Sequence, residues 1–377
     1  MKKHILTDVE NRIWEEDFYI SSENWNVNKK TLRGGLQDGV DIIEVNNGAF
    51  SFSVLPTRGM GIWKGKFCGC DVGWNSPSKG PVNPKFVSLT ERNGIGWLKG
   101  FDEMLVRCGL SYHGQPSYDG EDFLPLHGKI ANIPAKFVSV EVDDEKISVE
   151  GIVDEAEMFG PQIRLYTRIE SEFCSNKITV IDEIENIGGT ETEMEILYHC
   201  NFGEPFLEKG SKLVLPIQEM SPRNEEAAKG LNSFDTYDAP TPGYEEQCFF
   251  YKLLSRSTGK TLAVLKNSSG NKAVILRFNK KEIPCFTQWK NTVAENDGYV
   301  TGIEPGTSYP NPRAFEREKG RLKKLAPGEK HSMTLSIEIV DSKKEVEKVV
   351  NEIAEIQKKK KRKIYETPNA KFTAVGN

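Results

Sequence analysis

Short segments in which apolar and polar residues alternate follow one another along most of this chain. A first group lies between residues 135 and 202, separated by turn residues such as Asp143-Asp144 and Gly188-Gly189, and a second group lies between residues 247 and 340. Alternation with a two-residue period is typical of half-buried β-strands. The pattern therefore predicts an all-β protein in which the first group forms a β-meander.

The segments predicted as strands share this alternation and lie at Ala135–Val142, Lys146–Val153, Gln162–Glu170, Lys177–Glu185, Glu193–Phe202, Gln247–Leu254, Thr261–Leu265, Lys272–Phe278, Cys285–Lys290, Tyr299–Glu304 and Ser332–Val340. Residues 48–55 alternate in the same way, and residues 57–74 favour a hairpin. The glycines of residues 91–112 break any helical period, so we predict an irregular segment there that could line a site. Residues 213–243 are interpreted as a long excursion.

One segment has the three- and four-residue spacing of an amphipathic helix. It begins behind Asp341 or Ser342 as N-cap, and its apolar stripe consists of Val346, Val349, Val350, Ile353 and Ile356. We therefore predict one large β domain over residues 1–340, followed by an amphipathic helix and a basic tail over residues 341–377. The cations of Lys358–Lys363 could contact a nucleic acid or an anionic membrane, but a solvated helix end is the simpler interpretation.

Charge and cysteine usage narrow the class of protein. The net charge of the 377 residues is −5, and because residues 343–377 hold ten Lys or Arg and five Glu, residues 1–342 carry −10. An acidic body repels phosphate backbones, which argues against nucleic acid as a partner. The seven cysteines are scattered without a C-x-x-C pair, as expected of reduced thiols. No apolar run reaches the length of a membrane span, and we expect a cytoplasmic protein.

Known cofactor and metal motifs find no support in the sequence. Gly259-Lys260-Thr261 ends like a phosphate-binding loop, but Leu254 stands where the first glycine belongs and a strand is predicted to follow. Gly94-Ile95-Gly96 lacks the strand and the helix of a dinucleotide fingerprint. No H-E-x-x-H, H-x-H or G-x-S-x-G pattern occurs. The sequence therefore predicts neither a metal nor a cofactor.

Three polar residues, His127, His199 and Glu304, lie where a strand would point them into a cleft. In the predicted strand Glu193–Phe202, His199 and Asn201 fall on the face opposite the apolar residues. His127 takes the same position relative to the apolar residues around it. Glu304 precedes Pro305, which favours an extended backbone and a strand end at this carboxylate. A histidine and a carboxylate on one site form an acid and a base.

Short motifs in a fixed order resemble the aldose 1-epimerase (galactose mutarotase-like) superfamily, and most strongly its members with a domain of unknown function. The resemblance extends from about residue 32 to residue 340. The motifs are Leu32-Arg-Gly-Gly-Leu36, Leu55-Pro-Thr-Arg-Gly-Met60, Arg107-Cys-Gly-Leu110, Leu126-His-Gly128, Tyr198-His-Cys-Asn-Phe202, Gly302-Ile-Glu-Pro305 and Leu325-Ala-Pro-Gly-Glu329.

The resemblance implies a β-supersandwich, in which large antiparallel sheets stack and a concave face holds a sugar. It also implies that His199 is the general acid, Glu304 the general base and His127 a residue that orients the substrate. Mutarotases carry an arginine before the first histidine, a role open here to Arg107 or Arg58. Mutarotases also carry an aspartate on a sugar hydroxyl, which has no clear match here, and the positions open to it are Glu245 or Glu246. Asn201 and an aromatic residue among Trp63, Trp74, Trp97 and Trp289 are further candidates for substrate contact.

The expected function is a carbohydrate epimerase of the aldose 1-epimerase type, acting on a small-molecule sugar. Interconverting two anomers requires only a proton acceptor at the C1 hydroxyl and a proton donor at the ring oxygen. An epimerase or isomerase acting at another carbon, and a sugar-binding protein without catalysis, remain alternatives. The sequence leaves open which sugar binds and whether the chain forms a homo-oligomer.

Overall fold

Two large sheets make up most of the protein, which confirms the predicted all-β class. The computed structural model describes residues 2–374. Within them the strands are β1 (Lys2–Asp8), β2 (Ile13–Trp14), β3 (Phe18–Ser21), β4 (Asn26–Thr31), β5 (Asp41–Asn46), β6 (Phe50–Leu55), β7 (Gly61–Phe67), β8 (Cys70–Val72), β9 (Leu105–Leu110), β10 (Ser117–Asp119), β11 (Asp122–Leu124), β12 (Phe137–Val142), β13 (Lys146–Ala156), β14 (Gln162–Glu172), β15 (Lys177–Asn186), β16 (Thr192–Phe202), β17 (Lys212–Val214), β18 (Ile217–Pro222), β19 (Gln247–Leu253), β20 (Lys260–Lys266), β21 (Ala273–Asn279), β22 (Cys285–Asn291), β23 (Val300–Gly306), β24 (Lys323–Leu325), β25 (Lys330–Val340) and β26 (Lys363–Ile364). The helices of this range are α1 (Glu91–Gly94), α2 (Glu225–Lys229), α3 (Arg313–Glu318) and α4 (Lys343–Gln357).

The strands form two sheets with many neighbours that are distant in sequence. Sheet A has the order β17-β20-β21-β25-β15-β14-β13-β12-β1-β2. Sheet B has the order β26-β18-β19-β22-β23-β16-β9-β7-β6-β5-β4-β3, with β8 paired to β7 and β24 to β16. Pairing is antiparallel except between β18 and β26. Strands β10 and β11 form a separate hairpin.

The apolar core lies between the two sheets. Along β13, Ile147, Val149 and Val153 point inward, and along β16 Met194 and Tyr198 do so from the other sheet. Each fully buried apolar side chain stabilises the fold by about 1.5–3 kcal/mol. The apolar residues of the alternating pattern are therefore the ones that pack between sheet A and sheet B.

Helix α4 covers the opposite face of sheet A, as its apolar stripe predicts. Ser342 caps it by accepting a hydrogen bond from the backbone N–H of Glu345, at 3.3 Å. Val346, Val349 and Ile353 pack with sheet residues such as Ile275. The following residues 358–364 are exposed, and they lie beyond the last turn of α4 rather than within it.

The last described residues return to sheet B instead of leaving the surface. Strand β26 pairs with β18, and the Phe372 side chain is buried against Tyr309. Asn311 donates a hydrogen bond to the carbonyl of Phe372 at 2.8 Å. Residues 358–362 therefore form an exposed connection between α4 and β26.

The predicted five-strand meander is wrong at its last strand. Strands β12 to β15 are neighbours in sheet A, but β15 next pairs with β25, and β16 crosses to sheet B between β9 and β23. Alternation marks a strand without naming its partner, and the two-residue Gly188-Gly189 signal resembles that of a hairpin. Because β16 belongs to sheet B, His199 lies near the centre of that sheet and not in the meander.

Three other segments differ from the sequence prediction. The excursion of residues 213–243 contains β18 and α2, and β23 continues through Pro305 to Gly306 instead of ending at Glu304. Residues 91–112 combine short helical turns with strand β9. Among residues 2–374, no helix is both long enough and apolar enough to cross a membrane.

Candidate active site

A cavity of about 300 Å³ lies on the face of sheet B that points away from the core. Strands β16, β19, β22 and β23 form its floor, and the turns after α1 form an aromatic wall with Trp97 and Phe101. Its lining residues are Ile95, Trp97, Leu98, Phe101, Gln115, Pro116, Leu126, His127, His199, Arg223, Glu246, Cys248, Thr287, Trp289, Glu304 and Pro310. The volume is at the lower end for small-molecule sites.

Three polar side chains lie in a row across neighbouring strands of this floor. Cys200 of β16 pairs with Ile303 of β23, so His199 stands opposite Glu304. Glu304 in turn pairs directly with Thr287 of β22. Residues paired across a sheet point to the same face. The sheet register therefore fixes the order His199, Glu304, Thr287.

The histidine and the glutamate of this row are in contact and almost entirely removed from solvent. His199 Nε2 lies 3.3 Å from Glu304 Oε1, and the two residues are 5% and 2% exposed. The Oε1 atom has no aligned hydrogen-bond donor among residues 2–374. A buried carboxyl oxygen without a donor is costly.

Because Gly302 has no side chain, Glu304 and His199 can occupy the space beside it. It precedes Glu304 by two residues and therefore lies on the same face of β23. A Cβ at this position would overlap Glu304 Oε1 and lie 3.1 Å from His199 Cε1. The motif Gly302-Ile-Glu-Pro305 thus combines the carboxylate with the gap that accommodates it.

Asn201 fixes the tautomer of His199. Its amide N–H₂ donates to the carbonyls of Glu103 at 3.0 Å and of His199 at 2.9 Å. Both partners are acceptors, so the amide oxygen must be the atom that lies 2.6 Å from His199 Nδ1. Nδ1 therefore carries a hydrogen, and Nε2 is the atom that exchanges a proton at the cavity.

Burial shifts both members of the pair toward their neutral forms. It lowers the pKa of His199 well below its usual value, and His127 lowers it further, whereas the hydrogen bond with Asn201 opposes the shift. Burial raises the pKa of Glu304 well above its usual value, and the charge of Glu246 adds to this. Burial therefore favours the neutral forms of both groups, in which the proton of the pair lies on Glu304.

His127 lines the cavity from a turn, not from a strand as its sequence context predicts. It follows β11 with a φ of 60°, in the left-handed region, and its Nδ1 lies 3.0 Å from the carbonyl of His113. Its ring stands edge-on to Trp97 and to His199, at centroid distances of 4.6 and 5.3 Å. Burial lowers the pKa of His127 to about 4, so a neutral ring faces the cavity.

Neither arginine expected from the resemblance lines the cavity. Arg107 points into the core, where it holds Asp182 of sheet A through two nitrogens at 2.6 and 2.9 Å. Arg58 is buried against Glu103 and donates to the carbonyl of Val82 at 3.1 Å. Arg107 sits opposite Tyr198 in the register, which places it on the core face of sheet B. Both arginines therefore pair with buried carboxylates inside the fold.

Arg223 is the arginine that lines the cavity, and the sequence did not single it out. Its guanidinium lies 3.6 Å from Glu246, whose other oxygen accepts a hydrogen bond from Trp289 Nε1 at 2.6 Å. Arg223 follows β18 within the excursion, where no periodicity marks a face. Thr287 was also missed, although it shares strand parity with Trp289 and that parity could have identified it.

Other candidates lie outside the cavity. Asn201 is fully buried behind His199, and Glu245 is not among the lining residues. Trp63 and Trp74 do not line the cavity either; their indole nitrogens donate hydrogen bonds to Asp102 and to the carbonyl of Glu103, respectively.

A larger groove of about 780 Å³ lies beside α4.

A family model matches most of the chain, and a solved structure matches nearly all of it. Residues 37–339 match the model of a family described as a domain of unknown function, DUF4432. None of the curated proteins matches the sequence. A crystal structure from Klebsiella pneumoniae, provisionally named an aldose 1-epimerase, is 36% identical, with a TM-score of 0.95 over 97% of this chain and 98% of that chain.

More distant structures share the fold. A galactose mutarotase-like protein from Clostridium acetobutylicum is 17% identical, with a TM-score of 0.60 over 85% of this chain and 100% of that chain. A galactose 1-epimerase from Lactobacillus acidophilus is 15% identical, with a TM-score of 0.54 over 84% and 99%. The β-supersandwich and the family resemblance are thus confirmed, and the chain belongs to the DUF4432 family within the aldose 1-epimerase (galactose mutarotase-like) superfamily.

Proposed function

We propose that this protein is a carbohydrate epimerase of the aldose 1-epimerase type, which interconverts the anomers of a free sugar or sugar derivative. The observation that carries the proposal is the buried contact between His199 and Glu304 on the floor of a cavity of about 300 Å³. The fold of the neighbouring structures is that of sugar epimerases, which supports the same chemistry.

The reaction moves one proton at each of two oxygens. In the ionised form of the pair, the Glu304 carboxylate accepts the proton of the C1 hydroxyl while His199 Nε2 donates a proton to the ring oxygen. The bond between C1 and the ring oxygen breaks, and C1 becomes an aldehyde carbon. Rotation about the C1–C2 bond followed by the reverse proton transfers closes the ring on its other face.

Burial favours the form that the pair takes after the ring has opened. After ring opening, both Glu304 and His199 are neutral, which is the form that the low-dielectric site favours. The proton count of the pair is the same before and after the step, so no proton has to be exchanged with solvent. Asn201 keeps Nε2 as the exchanging atom in both directions.

The aromatic wall and the charged pair at the rim would bind the sugar. Trp97, Phe101 and Trp289 offer ring faces and edges to the apolar faces of a pyranose. Arg223 and Glu246 are positioned to exchange part of their mutual contact for sugar hydroxyls. His127, neutral and fixed by the carbonyl of His113, would orient the ring.

NMR exchange spectroscopy of the two anomers across a panel of hexoses, pentoses, uronates and deoxy sugars tests the proposal. We expect at least one sugar to exchange faster than in buffer, and Glu304→Gln to slow this exchange by about 10²–10⁴-fold. Glu318→Gln, at an exposed residue of α3, is the matched control and should retain full activity.

Three results separate the alternatives. If every sugar exchanges only at the buffer rate, or if Glu304→Gln is as active as the parent, the anomerase proposal is wrong. Solvent deuterium appearing on a sugar carbon would instead identify epimerisation or isomerisation at that carbon. Sugar binding that His199→Ala weakens, without any catalysed exchange in the parent protein, would identify a sugar-binding protein.

A further inference from the structure

Three buried polar atoms, each on a side chain that lines the cavity, lack a hydrogen-bond partner among residues 2–374. They are Trp97 Nε1, Thr287 Oγ1 and Glu304 Oε1, on side chains that are 0%, 2% and 2% exposed. Buried polar groups in folded proteins are nearly always paired. Their convergence on one cavity of about 300 Å³ indicates a ligand with several oxygen atoms at fixed positions.

Thr287 is the most informative of the three because its position is set by the sheet. It pairs with Glu304, so the two side chains lie side by side on adjacent strands. The χ1 angle of a β-branched side chain is restricted, which limits the partners that its hydroxyl can reach. The Thr287 hydroxyl therefore binds an atom close to the one on which Glu304 acts.

The order of the row matches the order of oxygens in a sugar. His199, Glu304 and Thr287 follow one another across β16, β23 and β22. A cyclic aldose presents its ring oxygen, its C1 hydroxyl and its C2 hydroxyl in the same succession. On the proposed function, His199 faces the ring oxygen and Glu304 faces the C1 hydroxyl, which leaves the C2 substituent for Thr287.

The geometry points to Thr287 as the residue that recognises the C2 hydroxyl, and hence to an aldose with a free 2-hydroxyl, and not a 2-deoxy sugar, as the substrate class. This inference rests on the proposed function for its assignment of C1. Trp97 Nε1, which can only donate, adds the requirement for an acceptor oxygen on the side of His127. Neither residue is part of the proton transfer itself.

A cycle of variant against substrate tests the inference. The variant Thr287→Val keeps the volume and removes the hydroxyl, and Thr292→Val is the matched control at a buried threonine outside the cavity. The probes are D-glucose and D-galactose with their 2-deoxy analogues. Binding is measured by isothermal titration calorimetry and turnover by NMR anomer exchange.

We expect the parent protein to prefer each 2-hydroxy sugar over its 2-deoxy analogue by about tenfold or more, because the analogue leaves Thr287 unpaired. Thr287→Val should bind the 2-hydroxy sugars about tenfold more weakly, bind the 2-deoxy sugars unchanged, and so abolish the preference. Thr292→Val should behave as the parent does.

The inference is overturned if Thr287→Val loses the same factor on both sugars of a pair, if it loses nothing on either, or if the parent binds none of the four sugars. Calorimetry measures binding independently of catalysis, so it tests the role of Thr287 separately from the proposed function. A parent protein that binds with the expected preference but does not catalyse exchange would refute the epimerase proposal and leave the role of Thr287 standing.

Discussion

Replacing Gly302 with alanine should disable the site without unfolding the protein. The new methyl group would overlap Glu304 Oε1 and would lie 3.1 Å from both Glu304 Cδ and His199 Cε1. The backbone of Gly302 is not in the left-handed region, so alanine fits the strand itself. The carboxylate is the flexible end of its side chain, and it is the group that must move.

The size of the effect follows from that displacement. Relieving the overlap requires a shift of about 1 Å, and a misplacement of this size costs about 100-fold in rate. We therefore expect kcat for anomer exchange to fall about 100-fold, which corresponds to about 2.7 kcal/mol. The melting temperature should stay within a few degrees of the parent, since no backbone atom has to move.

NMR anomer exchange gives the rate, and circular dichroism melting gives the stability. Gly189→Ala is the matched control, because a Cβ at Gly189 would meet no atom within 4 Å. An active Gly302→Ala protein, with kcat within about threefold of the parent, would refute the argument that this gap positions the carboxylate. A fully active control combined with an inactive but folded Gly302→Ala protein would support it.

Two further expectations concern protonation. A profile of kcat/KM against pH should be flat through pH 6.5. The reason is that the lowered pKa of His199 and the raised pKa of Glu304 widen the pH range in which the pair holds one proton. An inflection near pH 6.5 would contradict this expectation. Glu304→Gln should stabilise the fold increasingly as pH rises above 4.5, by about 1.4 kcal/mol per pH unit until the pKa of folded Glu304 is reached. The unfolded parent chain releases this proton above pH 4.5 and the folded chain does not, so chemical denaturation at pH 4 and pH 7 measures the difference, and an equal effect at both values would refute it.

Much of the fold could be predicted because strand and helix periodicities are local properties. The alternation along β13, β14 and β25 and the apolar stripe of α4 reflect which side chains one element buries, and each is visible within that element. The same parity placed His199 opposite the apolar residues of β16, and Pro305 singled out Glu304. Family motifs added the β-supersandwich and the expected roles of the two residues.

The partners of these elements could not be predicted, since a strand pattern does not specify which strand lies beside it. Strand β16 leaves the meander and joins sheet B, and this crossing sets His199 opposite Glu304, which is more than a hundred residues away in sequence. The position of Arg107 also depends on strand pairing. It lies opposite Tyr198, which places its side chain in the core, where it pairs with Asp182.

The sequence by itself therefore determined most of the long strands, the terminal helix and the presence of a histidine and a glutamate that could serve as acid and base. Only the tertiary structure decided what surrounds them: the gap at Gly302, the amide of Asn201 that fixes the histidine tautomer, and the unpaired hydroxyl of Thr287. The physical reason is that proton affinity and hydrogen-bond satisfaction depend on burial and on neighbours from other strands. Those neighbours are brought together by sheet register, which no single segment of the chain contains.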